Sequence, residues 1–150
     1  IINAVNISNE ARPIKIASKI KNRFNNKLEG ILIGILGLSF KPNTDDIRNS
    51  TSIIIANEIY KSAGKIKCFD PQAMANSKNV LSDLVYCNSA YDVCKGSNAL
   101  IIATEWNEFR ALDLNKIKEL MKNPVIFDLR NIYNKEEVEG LGIEYHGIGK

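Results

Sequence analysis

No apolar stretch in this 150-residue chain approaches the roughly 18 residues that a membrane-spanning helix needs. Cysteine is scarce. Cys68, Cys87 and Cys94 are odd in number and form no C-x-x-C pair, so they read as reduced thiols of a cytoplasmic protein, not a disulfide frame. The opening "IINAVNISNEARP" carries no initiator methionine, no basic n-region and no signal-peptide pattern, and reads as the middle of a longer chain. A strong charge of one sign is missing as well. The net +3 resides in residues 1–30, where six Lys/Arg face two Asp/Glu; residues 31–150 hold fourteen and fifteen. A nearly neutral body argues against nucleic acid as the main partner. Neither a repeat nor a low-complexity tract interrupts the sequence, and no metal site is expected.

What is present suits one compact domain with a single core: 45% hydrophobic and 25% charged residues. Residues 12–24, "RPIKIASKIKNRF", place Ile14, Ala17, Ile20 and Phe24 at helical spacing, with Lys15, Lys19 and Arg23 on another, solvated face. From residue 31 apolar runs alternate with helical patterns. "ILIGILGL" (31–38), "KIKCF" (65–69), residues 84–86, "NALIIAT" (98–104), "PVIFD" (124–128) and "IEYHGIG" (143–149) read as strands. Helices are expected at 50–63, 72–78, 89–95, 113–122 and in "KEEVEGLG", the first capped by Asn49 or Ser50 and ended by Gly64. Such alternation predicts an α/β class fold: a Rossmann-like, three-layer sandwich with a mostly parallel sheet.

In open α/β sheets a ligand sits beyond the carboxyl ends of the strands. That rule gathers Lys41, Asp70, Glu105, Trp106 and Arg130 on one edge. Lys41, Arg48 and Arg130 would make it cationic, and phosphate is the natural ligand of cations beside a helix N-terminus. Each also has a structural reading. Lys41 can be a solvated loop lysine, Arg130 can pair with Asp128 or Asp46, and Trp106 can be core. Asp45 and Asp46 read as a turn and helix-dipole pair, not a catalytic dyad. "GILGLSF" (34–40) is not G-x-G-x-x-G, so this domain is not expected to bind NAD alone.

The ordered set "GLSFKPNTDDIRNSTS", "CFDP", "ATEWNEFRALD", "VIFDLRNIY" and "YHGIGK" resembles the UDP-glucose/GDP-mannose dehydrogenase family over nearly the whole chain. "VNISNEARPI" resembles the end of the long helix that joins the two halves of those enzymes. The resemblance implies a C-terminal domain: residues 1–29 end the central linking and dimerisation helix, and residues 30–150 form the UDP-binding Rossmann-like domain. It implies an N-terminal NAD-binding partner domain in the same chain and a homodimer of the full-length enzyme. It also implies the reaction, oxidation of the C6 alcohol of UDP-glucose to UDP-glucuronate with two NAD, through a thiohemiacetal on a cysteine.

Carried over by motif, Phe40, Lys41 and Arg130 contact the UDP-sugar, and Arg48 reaches NAD held mainly by the other domain. Leu129 stands where the family more often has glycine. No catalytic residue is assigned. Cys68 in "CFDP" lacks the glycine before and the lysine after that mark the family's nucleophile, and aligns instead with a strand-end "Y-D-P". His146 has no nucleophile or acid near it in sequence. GDP-mannose or UDP-N-acetylmannosamine as the sugar, and a stand-alone nucleotide-binding or dimerisation module, remain the alternatives.

Overall fold

A computed structural model describes residues 2–147, with the side chains of residues 12–147. Its first element is a 22-residue helix, α1 (Ile2–Arg23), which runs through Pro13 and so gives up one backbone hydrogen bond at that turn. Two left-handed residues, Asn25 and Asn26, end the run; asparagine tolerates that conformation because its short side chain can bond locally. Two βαβ units follow from β1 (Leu32–Leu36) and α2 (Thr51–Lys61): β2 (Lys65–Phe69) with α3 (Met74–Lys78), then β3 (Val85–Tyr86). The second half contains α4 (Ala90–Cys94), β4 (Ala99–Ile102), α5 (Asn107–Arg110), α6 (Leu114–Leu120), β5 (Val125–Asp128), α7 (Lys135–Gly140) and β6 (Glu144–Gly147).

All six strands pair in parallel, in the order β3-β2-β1-β4-β5-β6. The chain order reverses between β1 and β4, so the loops that follow these two strands face each other. Alternation along the central strands separates two cores. Ile33, Ile35, Ala99 and Ile101 meet Ala17 and Ile20 of α1 and Ile55 and Ile59 of α2 on one face. Leu36, Leu100, Ile102 and Ile126 meet Val93, Phe109, Ile117 and Val138 on the other. This is the three-layer parallel architecture expected from the alternating pattern.

Most differences from the sequence reading have local causes. Helix α5 was not expected, because four residues are too few for a periodic signal. Ala63, not Gly64, takes the left-handed position after α2 (φ 68°). Gly64 is needed for space: a Cβ there would stand 2.7 Å from Ile59 Cγ2. The last strand is expected over 143–149, and its final two residues lie outside the described ones, as does the end of "YHGIGK".

Candidate functional site

The site is assembled at the carboxyl end of β1. Gly37 leaves the strand with φ +99°, and a Cβ there would overlap the Thr104 hydroxyl and stand 2.8 Å from the Thr104 N–H. Only glycine permits both the turn and the close approach of the loop after β4. Beyond it, the buried carboxylate of Asp70, at the end of β2, accepts from the N–H groups of Leu38 (2.7 Å) and Ser39 (3.0 Å) through Oδ2. Its Oδ1 accepts from Gln72 and Ala73 N–H, both at 2.8 Å. Asp70 is thus fully occupied as a brace, with 0% exposure. It occupies the place from which an acidic residue binds the ribose of a dinucleotide in nucleotide-binding sheets, and it has no oxygen left for that task.

The 39–50 loop is stitched shut by its own bonds. Phe40 N–H donates to Asp46 O (2.6 Å), Ser39 Oγ to Lys41 O (2.8 Å) and Ser50 Oγ to Leu38 O (2.8 Å). Asn76 of α3 reaches the carbonyl of Asp45 (2.9 Å). Asn43 and Asn49 supply two left-handed corners. The result displays Phe40, an aromatic ring left 46% exposed, beside the exposed Lys41.

Arg130 joins this loop to the other side of the switch point. Its Nε donates to Ala103 O after β4 (3.0 Å) and lies 3.8 Å from Glu105 Oε2; its Nη2 donates to Phe40 O (3.5 Å). Asp128, at the end of β5, accepts from the backbone N–H of Arg130 (3.2 Å), from Tyr133 N–H (3.0 Å) and from the Tyr145 hydroxyl (2.8 Å). Asp128 therefore shapes the loop without taking the Arg130 guanidinium. Leu129 needs no glycine: the left-handed residue of this loop is Asn131 (φ 52°).

Phe40, Lys41 and Arg130 are brought together. Arg48 is in the same loop but is bound to its neighbour Asp46, by Nε (3.0 Å) and Nη2 (2.9 Å), with its side chain 86% exposed. Bonds from the Arg48 side chain and N–H hold the Asp46 carboxyl down, to about 2. Asp45 and Asp46 are a turn feature, as expected. Trp106 is buried in the second core at 7% exposure, its indole Nε1 without a partner among the described residues.

Two of the three cysteines are unfit as nucleophiles. Burial pushes the Cys68 and Cys94 thiols up to about 12 each, which leaves them protonated and inert at neutral pH. His146 lies on the edge strand, stacked on Phe127 (4.7 Å) and 2.6 Å from Glu144, which also holds Arg23 of α1 at 2.6 Å. The Arg23–Glu144 pair ties the last turn of α1 to β6. Among the described residues no group of three His, Cys, Asp or Glu side chains could hold a metal ion.

Two cavities accompany the carboxyl edge. The larger, about 440 Å³, lies between the loop before α6 and the start of α7 and is lined by Arg110, Asp113, Asn115, Tyr133 and Glu137 among others. It suits an anion poorly: two carboxylates face one arginine, and the Asp113 and Asn134 side chains already accept from the first turns of α6 and α7. The smaller, about 90 Å³, is lined by Arg12, Ile16, Thr51, Ala103, Leu129 and Arg130. Arg12 was missed by the sequence reading, which placed the charges of α1 on a solvated face. No local pattern signals it, because its neighbour Arg130 comes from the far end of the chain.

The model of the UDP-glucose/GDP-mannose dehydrogenase family's UDP binding domain matches residues 34–135. A UDP-glucose 6-dehydrogenase of Rickettsia bellii (strain RML369-C) is 42% identical over 151 residues, covering 99% of this chain and 35% of the relative. The enzyme of the same name from Rhizobium meliloti (strain 1021) is 38% identical over 142 residues, 95% of this chain and 32% of its own. A solved UDP-glucose dehydrogenase from the hyperthermophilic archaeon Pyrobaculum islandicum superposes with a TM-score of 0.82 at 29% identity, over 97% of this chain and 31% of that one. The chain spans about a third of the length of these relatives.

Proposed function

From the premise that this chain belongs to the UDP-glucose/GDP-mannose dehydrogenase family, as its C-terminal UDP-binding domain, we propose that it is the nucleotide-sugar half of a UDP-glucose 6-dehydrogenase. The whole enzyme would oxidise UDP-glucose to UDP-glucuronate with two NAD, in the cytoplasm. Residues 1–29 are the end of its linking and dimerisation helix, and residues 30–150 the UDP-binding domain. The observation that carries this reading is the convergence of Phe40, Lys41 and Arg130 at the strand-order switch, within a family-matched domain.

Each residue has a physical task. Lys41 and the free N–H groups of Arg130 neutralise the diphosphate, Arg130 in a plane fixed by its bonds to Ala103 and Phe40. The exposed ring of Phe40 packs on the sugar or the base. Asp70 and Gly37 hold the loop that presents them.

NAD does not fit this domain as a resident dinucleotide. The glycine fingerprint is absent and the Asp70 carboxylate is spent on four backbone N–H groups. NAD, bound mainly by the N-terminal domain of the same chain, supplies the hydride acceptor. Arg48 is exposed and offers it one edge contact. The nucleophile and the acid/base groups belong to that other domain, so this chain binds and closes the cleft.

Calorimetry of the chain with UDP and with GDP tests the reading. Saturable binding of UDP, stronger than GDP and weakened about tenfold by Arg130→Gln through loss of charged hydrogen bonds, supports it. Preference for GDP would move the assignment to a GDP-sugar, and binding of neither would overturn it.

A further inference from the structure

Arg12 is the one cation of α1 that lines a cavity at the strand-order switch, and it makes no hydrogen bond or ion pair among the described residues. Two other basic residues of this helix are engaged: Lys21 lies 3.7 Å from Glu58, and Arg23 is bound by Glu144. Arg12 shares its cavity of about 90 Å³ with Arg130, which the reading above places on the nucleotide diphosphate. The space is small and cationic, which suits a phosphoryl group.

The remaining lining fits an anion. Ile16, Ala103 and Leu129 form apolar walls beside the two guanidinium groups. Thr51 adds a hydroxyl donor, and no carboxylate lines the space. Arg130 has its Nε committed to Ala103 O and one Nη2 bond to Phe40 O; a guanidinium carries five N–H donors, so others remain for a ligand. Two arginines on one small space whose lining holds no carboxylate make it a place for an anion.

We propose that Arg12 is a further nucleotide-binding residue, forming with Arg130 and Thr51 a phosphoryl subsite where the linking helix meets the UDP-binding domain. The inference rests on the UDP-binding reading and deepens it. Its consequence is coupling: a bound phosphoryl group bridges α1 to the ends of β4 and β5, so nucleotide binding fixes the helix that leads to the rest of the protein.

The test compares Arg12→Gln with Lys15→Gln, an exposed cation one turn along the same helix that does not line the cavity. UDP and uridine are titrated calorimetrically into each chain. Inorganic pyrophosphate is titrated into labelled chain while the Arg12 Nε–H and Thr51 amide signals are followed. We expect Arg12→Gln to weaken UDP about tenfold, as loss of a charged hydrogen bond does, to leave uridine unchanged, and to abolish the pyrophosphate shift at Thr51. Lys15→Gln should stay within about twofold, because a screened surface charge contributes little. Undiminished UDP binding by Arg12→Gln, or an equal loss in both variants, overturns the subsite. If UDP fails to bind the unaltered chain but pyrophosphate still moves Arg12 and Thr51, the subsite stands and the UDP reading falls. If neither ligand moves them, the subsite is overturned as well.

Discussion

The Asp70 carboxylate accepts the N–H of Leu38 at 2.7 Å inside the protein, so the end of one strand sets the direction in which the next strand's loop departs. The same oxygen holds Ser39, and the next two residues are Phe40 and Lys41. The loop that carries the proposed substrate contacts is therefore positioned by a buried carboxylate bonded to four backbone N–H groups.

Asp70→Asn keeps the shape and removes the charge. One of its amide ends must face N–H groups that need an acceptor, and the loss is expected to cost about 2–4 kcal/mol in urea unfolding. UDP affinity should fall with it while uridine and UDP weaken in parallel, since the loop and not a phosphate contact is lost. Unchanged stability would show that the brace is dispensable.

Gly37→Ala strains the backbone at φ +99° and drives a methyl group into Thr104. Together these should cost about 2–5 kcal/mol. The double variant Gly37→Ala/Thr104→Ala removes the hydroxyl but leaves the backbone strain and the Thr104 N–H contact, so it should recover only part of the loss. Full recovery would place all of the cost in the side-chain overlap.

The Asp46 carboxyl should titrate near 2, well below the usual carboxylate value of 3.8. A lowered folded value means the contribution is present above the ordinary value and is lost as pH falls through about 2. Carboxyl-detected NMR titration reads it directly. Arg48→Gln should bring the midpoint back toward 3.8; an unmoved midpoint would mean that Arg48 is not the cause.

Thiol reactivity checks the reading of the cysteines. Cys68 and Cys94, pushed up to about 12 by burial, should resist a disulfide reagent at pH 8 in the folded chain and react on unfolding. Cys87, half-buried and raised less, should react first. Rapid labelling of Cys68 would reopen it as a nucleophile. In the same spirit, the chain mixed with UDP-glucose and NAD should produce no NADH above background.

Much of this was legible from residues whose signal is local. The apolar runs 31–38 and 99–103 announced buried parallel strands, and strand-end positions alone placed Lys41, Asp70 and Arg130 on one edge. What sequence could not show was the use to which each polar group is put. Asp70 and Arg48 look alike as charged residues beside a ligand edge, yet one is consumed by four backbone donors and the other pairs with Asp46 while its side chain stays exposed. Arg12 was illegible for a different reason: its partner in space lies on β5's loop, and helical periodicity reports only which face of α1 a residue occupies, not what that face meets.

The most direct measurement follows backbone amide signals of the labelled chain as UDP is added. Saturable shifts should concentrate at residues 38–41, 103–105 and 129–131, around the strand-order switch. Shifts concentrated instead around Asp113 and Asn134, at the larger cavity, or no saturable shifts at all, would contradict it.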